Sequence, residues 1–119
     1  FRTRFIKLEN VHMAEGKFAV AGLRVFGKKE GSPPAIAKGF SVNRHTDTRD
    51  CTFQWVAVQG AYAYNIYYGI HPDKLYNCIM VHEDTSRYFR GLNKGVTYYA
   101  RIESIGETGL SPLSEVVKF

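Results

Sequence analysis

The sequence predicts an all-β chain: a seven-stranded sandwich of two antiparallel sheets over residues 37–119, preceded by a β-hairpin stub over residues 1–30 and a linker at 31–36. Three observations predict it. Short runs rich in β-branched and aromatic residues recur at regular spacing, with turn residues between them. Eight Tyr, eight Phe and one Trp among 119 residues suit pleated sheets better than helices. No stretch of useful length shows the 3.6-residue apolar period of an amphipathic helix.

The elements follow in order. Arg4-Phe5-Ile6-Lys7-Leu8-Glu9-Asn10-Val11 alternates as a strand with one buried face does, and Ala14-Glu15-Gly16-Lys17 reads as a turn. Residues 18–27 supply a second strand. A lone two-stranded hairpin is marginal in water and leaves two open edges, so the stub is expected to complete a larger sheet. Taken alone it would pair with the sandwich or with a second copy of the chain. Lys28-Lys29-Glu30-Gly31-Ser32-Pro33-Pro34 then breaks the sheet and forms a short, semi-stiff connector. Strands are expected over 37–44, 51–58, 62–69, 75–82, 86–90, 97–105 and 114–119. The breakers between them include His45 to Asp50, His71-Pro72-Asp73, Asn93-Lys94-Gly95 and the loop from Gly106 to Pro112.

Charge and cysteine content narrow the function classes. Of the net charge of +5, residues 1–30 hold seven Lys/Arg against three Asp/Glu, and residues 31–119 nine against eight. The surplus is scattered over the stub instead of forming a basic stripe with interleaved aromatics, which argues against nucleic-acid binding. No apolar run reaches the roughly 18 to 20 residues of a membrane span, so no membrane insertion is expected. The opening Phe-Arg-Thr-Arg-Phe carries neither an initiator Met nor an apolar leader, and the chain reads as a piece of a longer protein. Cys51 and Cys78 lie in apolar runs without a CxxC pair or a nearby His at metal spacing; two buried thiols are the expectation, and zinc is not.

Residues 36–119 resemble the fibronectin type III family, an immunoglobulin-like β-sandwich. Trp55 stands where that family has its second-strand tryptophan, with Cys51 and Phe53 at the same parity. Tyr64-Asn65-Ile66-Tyr67-Tyr68 is similar to the family's third strand, with Tyr64, Ile66 and Tyr68 facing inward. Leu92-Asn93-Lys94-Gly95-Val96-Thr97-Tyr98 resembles its Leu-x-Pro-Gly-Thr-x-Tyr corner, with Lys94 in place of Pro. The corner has a physical purpose: Leu92 plugs the core, Gly95 permits the turn, and the Tyr98 hydroxyl bonds backbone upstream. The stub is similar to the closing strands of a discoidin-like jelly roll. That order of parts resembles the C-terminal region of secreted bacterial glycoside hydrolases, in particular those of gut Bacteroidetes acting on plant polysaccharides. The resemblance implies a secreted, periplasmic or cell-surface setting and an accessory, non-catalytic role.

Candidate chemistry in the residues themselves is sparse. His12, His45, His71 and His82 fall in turns and strand ends, none at zinc spacing, so no metal or cofactor is expected. No G-x-S-x-G motif occurs. A glycosidase needs two carboxylates roughly 5 to 9.5 Å apart across a cleft, whereas Glu83-Asp84 are adjacent in a predicted turn. One surface carries more interest. If Tyr64, Ile66 and Tyr68 face inward, Asn65 and Tyr67 face outward; if Tyr98, Ala100 and Ile102 face inward, Tyr99, Arg101 and Glu103 do not. Asn65, Tyr67, Tyr99 and Arg101 are therefore expected to share an exposed patch, and Tyr and Arg favour interfaces.

The leading expectation is a spacer or docking platform that contacts neighbouring domains of the same polypeptide. A carbohydrate-binding module with a polysaccharide partner is the second, and a cell-surface protein-interaction domain the third.

Overall fold

The computed structural model describes residues 6–9, 20, 22–23 and 31–119. The hairpin expected over residues 1–30 lies, apart from those few positions, outside the described residues, as do most residues of its two strands and all of its turn.

Eight strands form two antiparallel sheets, and no helix occurs among the described residues. They are β1 (Ser41–Arg44), β2 (Asp50–Gln54), β3 (Ala61–Gly69), β4 (Asn77–His82), β5 (Ser86–Arg90), β6 (Tyr99–Gly106), β7 (Gly109–Leu110) and β8 (Val117–Lys118). One sheet has the order β1-β2-β5; the other has β4-β3-β6, with β7 and β8 both pairing to β6. The strand expected at 86–90 falls as predicted, and the others shift by a few residues at their ends.

Two departures have clear causes. The first strand was expected from residue 37, but a kink at Gly39 (φ 64°) confines the ladder to Ser41–Arg44. Ala37 is still buried, and the Lys38 carbonyl still accepts the Val56 N–H at 2.9 Å. At the other end, the expected loop from Gly106 to Pro112 is a tight hairpin in which Gly106 pairs with Gly109. The last strand is consequently split around Pro112, which has no N–H to give a ladder. It returns at the end of the chain, where Tyr98 and Phe119 exchange backbone hydrogen bonds of 2.8 and 2.9 Å.

The core follows from the alternation of each strand. Cys51, Phe53 and Trp55 from one sheet meet Tyr64, Ile66, Ala100 and Ile102 from the other, all buried. Phe53 is fully enclosed among Phe40, Phe89 and Phe119, with ring centroids 5.8 to 6.3 Å away. Trp55 meets Tyr64 edge-on at 5.1 Å. Removing such side chains from water contributes about 1.5–3 kcal/mol each.

Leu92 and Tyr98 are both buried, and the Tyr98 hydroxyl accepts the Asn93 N–H at 3.1 Å. Gly95 makes the turn with φ 71°, a left-handed conformation that a side chain would strain. Arg44 locks this corner from the neighbouring sheet. Its guanidinium lies 5.5 Å from the Tyr98 ring centroid and donates to the carbonyls of Val96 (2.6 Å), Asn93 (3.1 Å) and Thr48.

Candidate functional site

The antiparallel register of β3 and β6 builds the outward face of the larger sheet. Asn65 lies opposite Glu103, Tyr67 opposite Arg101, and Gly69 opposite Tyr99. The structure therefore brings Asn65, Tyr67, Tyr99 and Arg101 onto one face. All four are half-buried, where the sequence predicts an exposed patch.

For Asn65 and Tyr67 the reason is Glu103, which the sequence places on this face without giving it a role. Glu103 is only 7% exposed, and one carboxylate oxygen accepts both the Tyr67 hydroxyl (2.7 Å) and the Asn65 amide (2.8 Å). This oxygen holds the Tyr67 side chain at the sheet surface. Burial, together with the hydrogen bond to Glu103, pushes the Tyr67 phenol up to about 12, so it remains a neutral donor. Arg101 turns its Nε out of water with no hydrogen-bond partner among the described residues. Ala63 and Ile105, at the same parity, are fully buried although the main core lies on the sheet's other side.

The smaller sheet has an outward face of its own. Asn43, Thr52 and Tyr88 form one cross-strand row there, and Asp50 with Arg90 forms the next. The Tyr88 hydroxyl donates to Asp50 Oδ2 at 2.6 Å, and His45 Nε2 lies 2.8 Å from Thr52 Oγ1. Sequence reasoning missed this cluster because His45 and Asp50 read as loop breakers. The usable signal was parity: with Cys51 and Phe53 facing inward, Asp50 and Thr52 must face out.

Cys78 corrects an expectation. It is exposed, because it stands opposite Tyr67 on β4 and shares that outward face, whereas Cys51 is buried in the core. The two thiols lie on different sheets and on opposite sides of them, and both are outside any disulfide.

Other chemistry finds little support in the geometry. Among the described residues, no group of three or more His, Cys, Asp or Glu could hold a metal ion. A shallow recess of about 200 Å³ is lined by Ala35, Ile36, Val56, Ala57 and Val58, with Lys38 as its charged member, and it holds no carboxylate pair.

The connector is seated on the sandwich. Thr108 Oγ1 donates to the Ser32 carbonyl at 2.6 Å, and Pro34 is buried. A Cβ added at Gly106 would sit 3.1 Å from the Pro34 ring and 2.7 Å from the Gly60 carbonyl, so that position is closed to any larger residue.

Two sheets packed face to face around Trp55, with a tyrosine corner closing one end, define an immunoglobulin-like sandwich. The fold is that of a fibronectin type III domain. The chain is similar to an Fn3-like protein from Clostridium thermocellum (TM-score 0.66, 22% identity, covering 73% of this chain and 92% of that one). It is likewise similar to an fn3 domain of human contactin 1 (TM-score 0.66, 18% identity, 87% and 91% covered). A third match is the sixth fibronectin type III domain of human fibronectin type III domain containing protein 3 (TM-score 0.63, 22% identity, 76% and 87% covered). At these identities the likeness speaks for the fold. No protein-family profile matches the sequence, and a comparison of the sequence with curated proteins found no match.

Proposed function

We propose that this chain is a non-catalytic spacer and docking module of a multidomain protein, one that fixes its neighbour at a set position. The observation that carries this reading is the seating of the connector. A flexible linker would touch nothing, whereas Ser32 and Pro34 are held against the β6–β7 hairpin by a hydrogen bond and by burial. The entry of the chain into the sandwich is thereby fixed in direction. The half-buried face of Asn65, Tyr67, Tyr99 and Arg101 is the surface we assign to domain contact, where the Arg101 Nε lacks an acceptor among the described residues. The stub's resemblance to a discoidin-like tail supports a secreted or cell-surface glycoside hydrolase as the parent protein, with plant polysaccharide as its substrate.

Backbone ¹⁵N relaxation tests the spacer role. The amides of Gly31, Ser32, Ala35 and Ile36 should show order parameters near those of rigid strands, about 0.85. Thr108→Val should lower them. Values below about 0.6 in the unmodified chain would mean a floppy tether and would end the spacer reading.

A further inference from the structure

Tyr88 is a half-exposed aromatic in a polar field. Around it on the outward face of the β1-β2-β5 sheet stand Asn43, Thr52, Asp50 and Arg90, with Ser41, Gln54 and Ser86 in the row beyond. Every side chain in these three rows apart from Tyr88 is polar. Tyr88 is 52% exposed, yet its ring is held at two points. Its hydroxyl is anchored on Asp50 at 2.6 Å, and the His45 ring meets it edge-on at 5.6 Å and 69°. His45 is held in turn by Thr52, and Asp50, 8% exposed, faces Arg90 Nε at 3.4 Å.

We propose that this face is a carbohydrate-binding site, in which one sugar ring of a neutral glycan stacks on Tyr88 while Arg90, Asn43 and His45 bond its hydroxyls. Three features select that ligand class. A fixed, solvent-facing ring presents a flat apolar face with little ordering left to lose on binding. The local charges balance, since Asp50 pairs with Arg90 and Asp47 with Arg49, so neither an anionic nor a cationic ligand is drawn in. A protein partner would need a contiguous apolar interface centre, and Tyr88 stands as the single aromatic among polar side chains in these rows. What remains is a molecule with both an apolar ring face and many hydroxyls. Arg90 turns Nε toward Asp50, and its side chain is 64% exposed, which leaves the rest of its guanidinium to donate. The site lies on an open sheet face, so it suits internal residues of a polymer. This proposal does not rest on the spacer reading.

Affinity electrophoresis of the whole chain tests it, in gels containing xylan, arabinan or β-glucan, with pectin as the anionic contrast. At least one neutral polymer should slow the chain. Tyr88→Ala should weaken that retardation by about tenfold or more, the scale of a lost aromatic stacking contact. Its circular dichroism should match the unmodified chain, and Tyr76→Ala, at an 84% exposed position outside these rows, should migrate as the unmodified chain does. Tyr88→Phe, which keeps the ring and loses its anchor, should fall between. The proposal is overturned by free migration in all three neutral gels, by retardation that Tyr88→Ala leaves intact, or by retardation in pectin alone.

Discussion

The two outward faces of the sandwich carry the same device in different states. On each, a tyrosine hydroxyl donates across strands to a nearly buried carboxylate: Tyr67 to Glu103 at 2.7 Å, and Tyr88 to Asp50 at 2.6 Å. The two acidic residues are similarly enclosed, at 7% and 8% exposure. The tyrosines are not. Tyr67 is half-buried in the centre of a five-stranded sheet, whereas Tyr88 lies on an edge strand and is 52% exposed. Strand position therefore decides whether one hydrogen bond closes a face or props an aromatic open to water.

Removing each carboxylate should show that difference most strongly. Glu103→Ala leaves two donors, the Tyr67 hydroxyl and the Asn65 amide, half-buried without their acceptor. Each such loss costs about 1–3 kcal/mol, and urea unfolding should register a destabilisation of about 2–4 kcal/mol. Asp50→Ala frees a hydroxyl that water can reach, so its cost should be nearer 1 kcal/mol, about that of an ordinary hydrogen bond. If Asp50→Ala proves the more damaging, the contrast between a closed and an open face is wrong.

The pH dependence sharpens the comparison at a smaller scale. The Tyr67 phenol rises from 10.0 to about 12 on folding, first through burial and then through Glu103. A group with a raised folded pKa adds stability that is complete below its unfolded pKa. That stability fades as the pH climbs from about 10 to about 12. Tyr67→Phe should flatten the fall in melting temperature across that window. Tyr88 is also raised, chiefly by its bond to Asp50, but solvent screens it, so Tyr88→Phe should flatten the curve less. Equal effects would mean that the two tyrosines are equally enclosed.

The fold was legible because its signals are local. Period-2 alternation through Tyr64, Ile66 and Tyr68 assigns the core face of β3 from sequence alone, and Leu92, Gly95 and Tyr98 mark the corner. The partners across the sheets were not legible. Arg44 reaches the corner from 49 and 52 positions away, at the Asn93 and Val96 carbonyls. Glu103 lies 36 positions from Tyr67, and its sequence position says only that it faces outward. Parity shows which way a side chain points, but its exposure depends on what lies opposite, and that requires the register. The same gap hid the Tyr88 cluster, whose members are assembled from a hairpin loop and three separate strands.

Cysteine reactivity offers the mildest probe of the comparison, since it should leave stability nearly unchanged. Cys78 shares the outward face of Tyr67, whereas Cys51 lies beneath the Asp50 face on the core side. Burial pushes the Cys51 thiol up to about 11, with the Arg44 charge opposing part of the rise, so little thiolate forms at about pH 8. An aromatic disulfide reagent should label one thiol quickly, and Cys78→Ser should abolish that phase. Cys51 should react only as the sandwich opens, at a rate set by local or global unfolding. Its slow phase then reports on both faces at once: Glu103→Ala should accelerate it more than Asp50→Ala does. Fast labelling of Cys51 in the unmodified chain would instead mean that the three-stranded sheet opens independently, and that the Asp50–Tyr88 bond adds little to holding it closed.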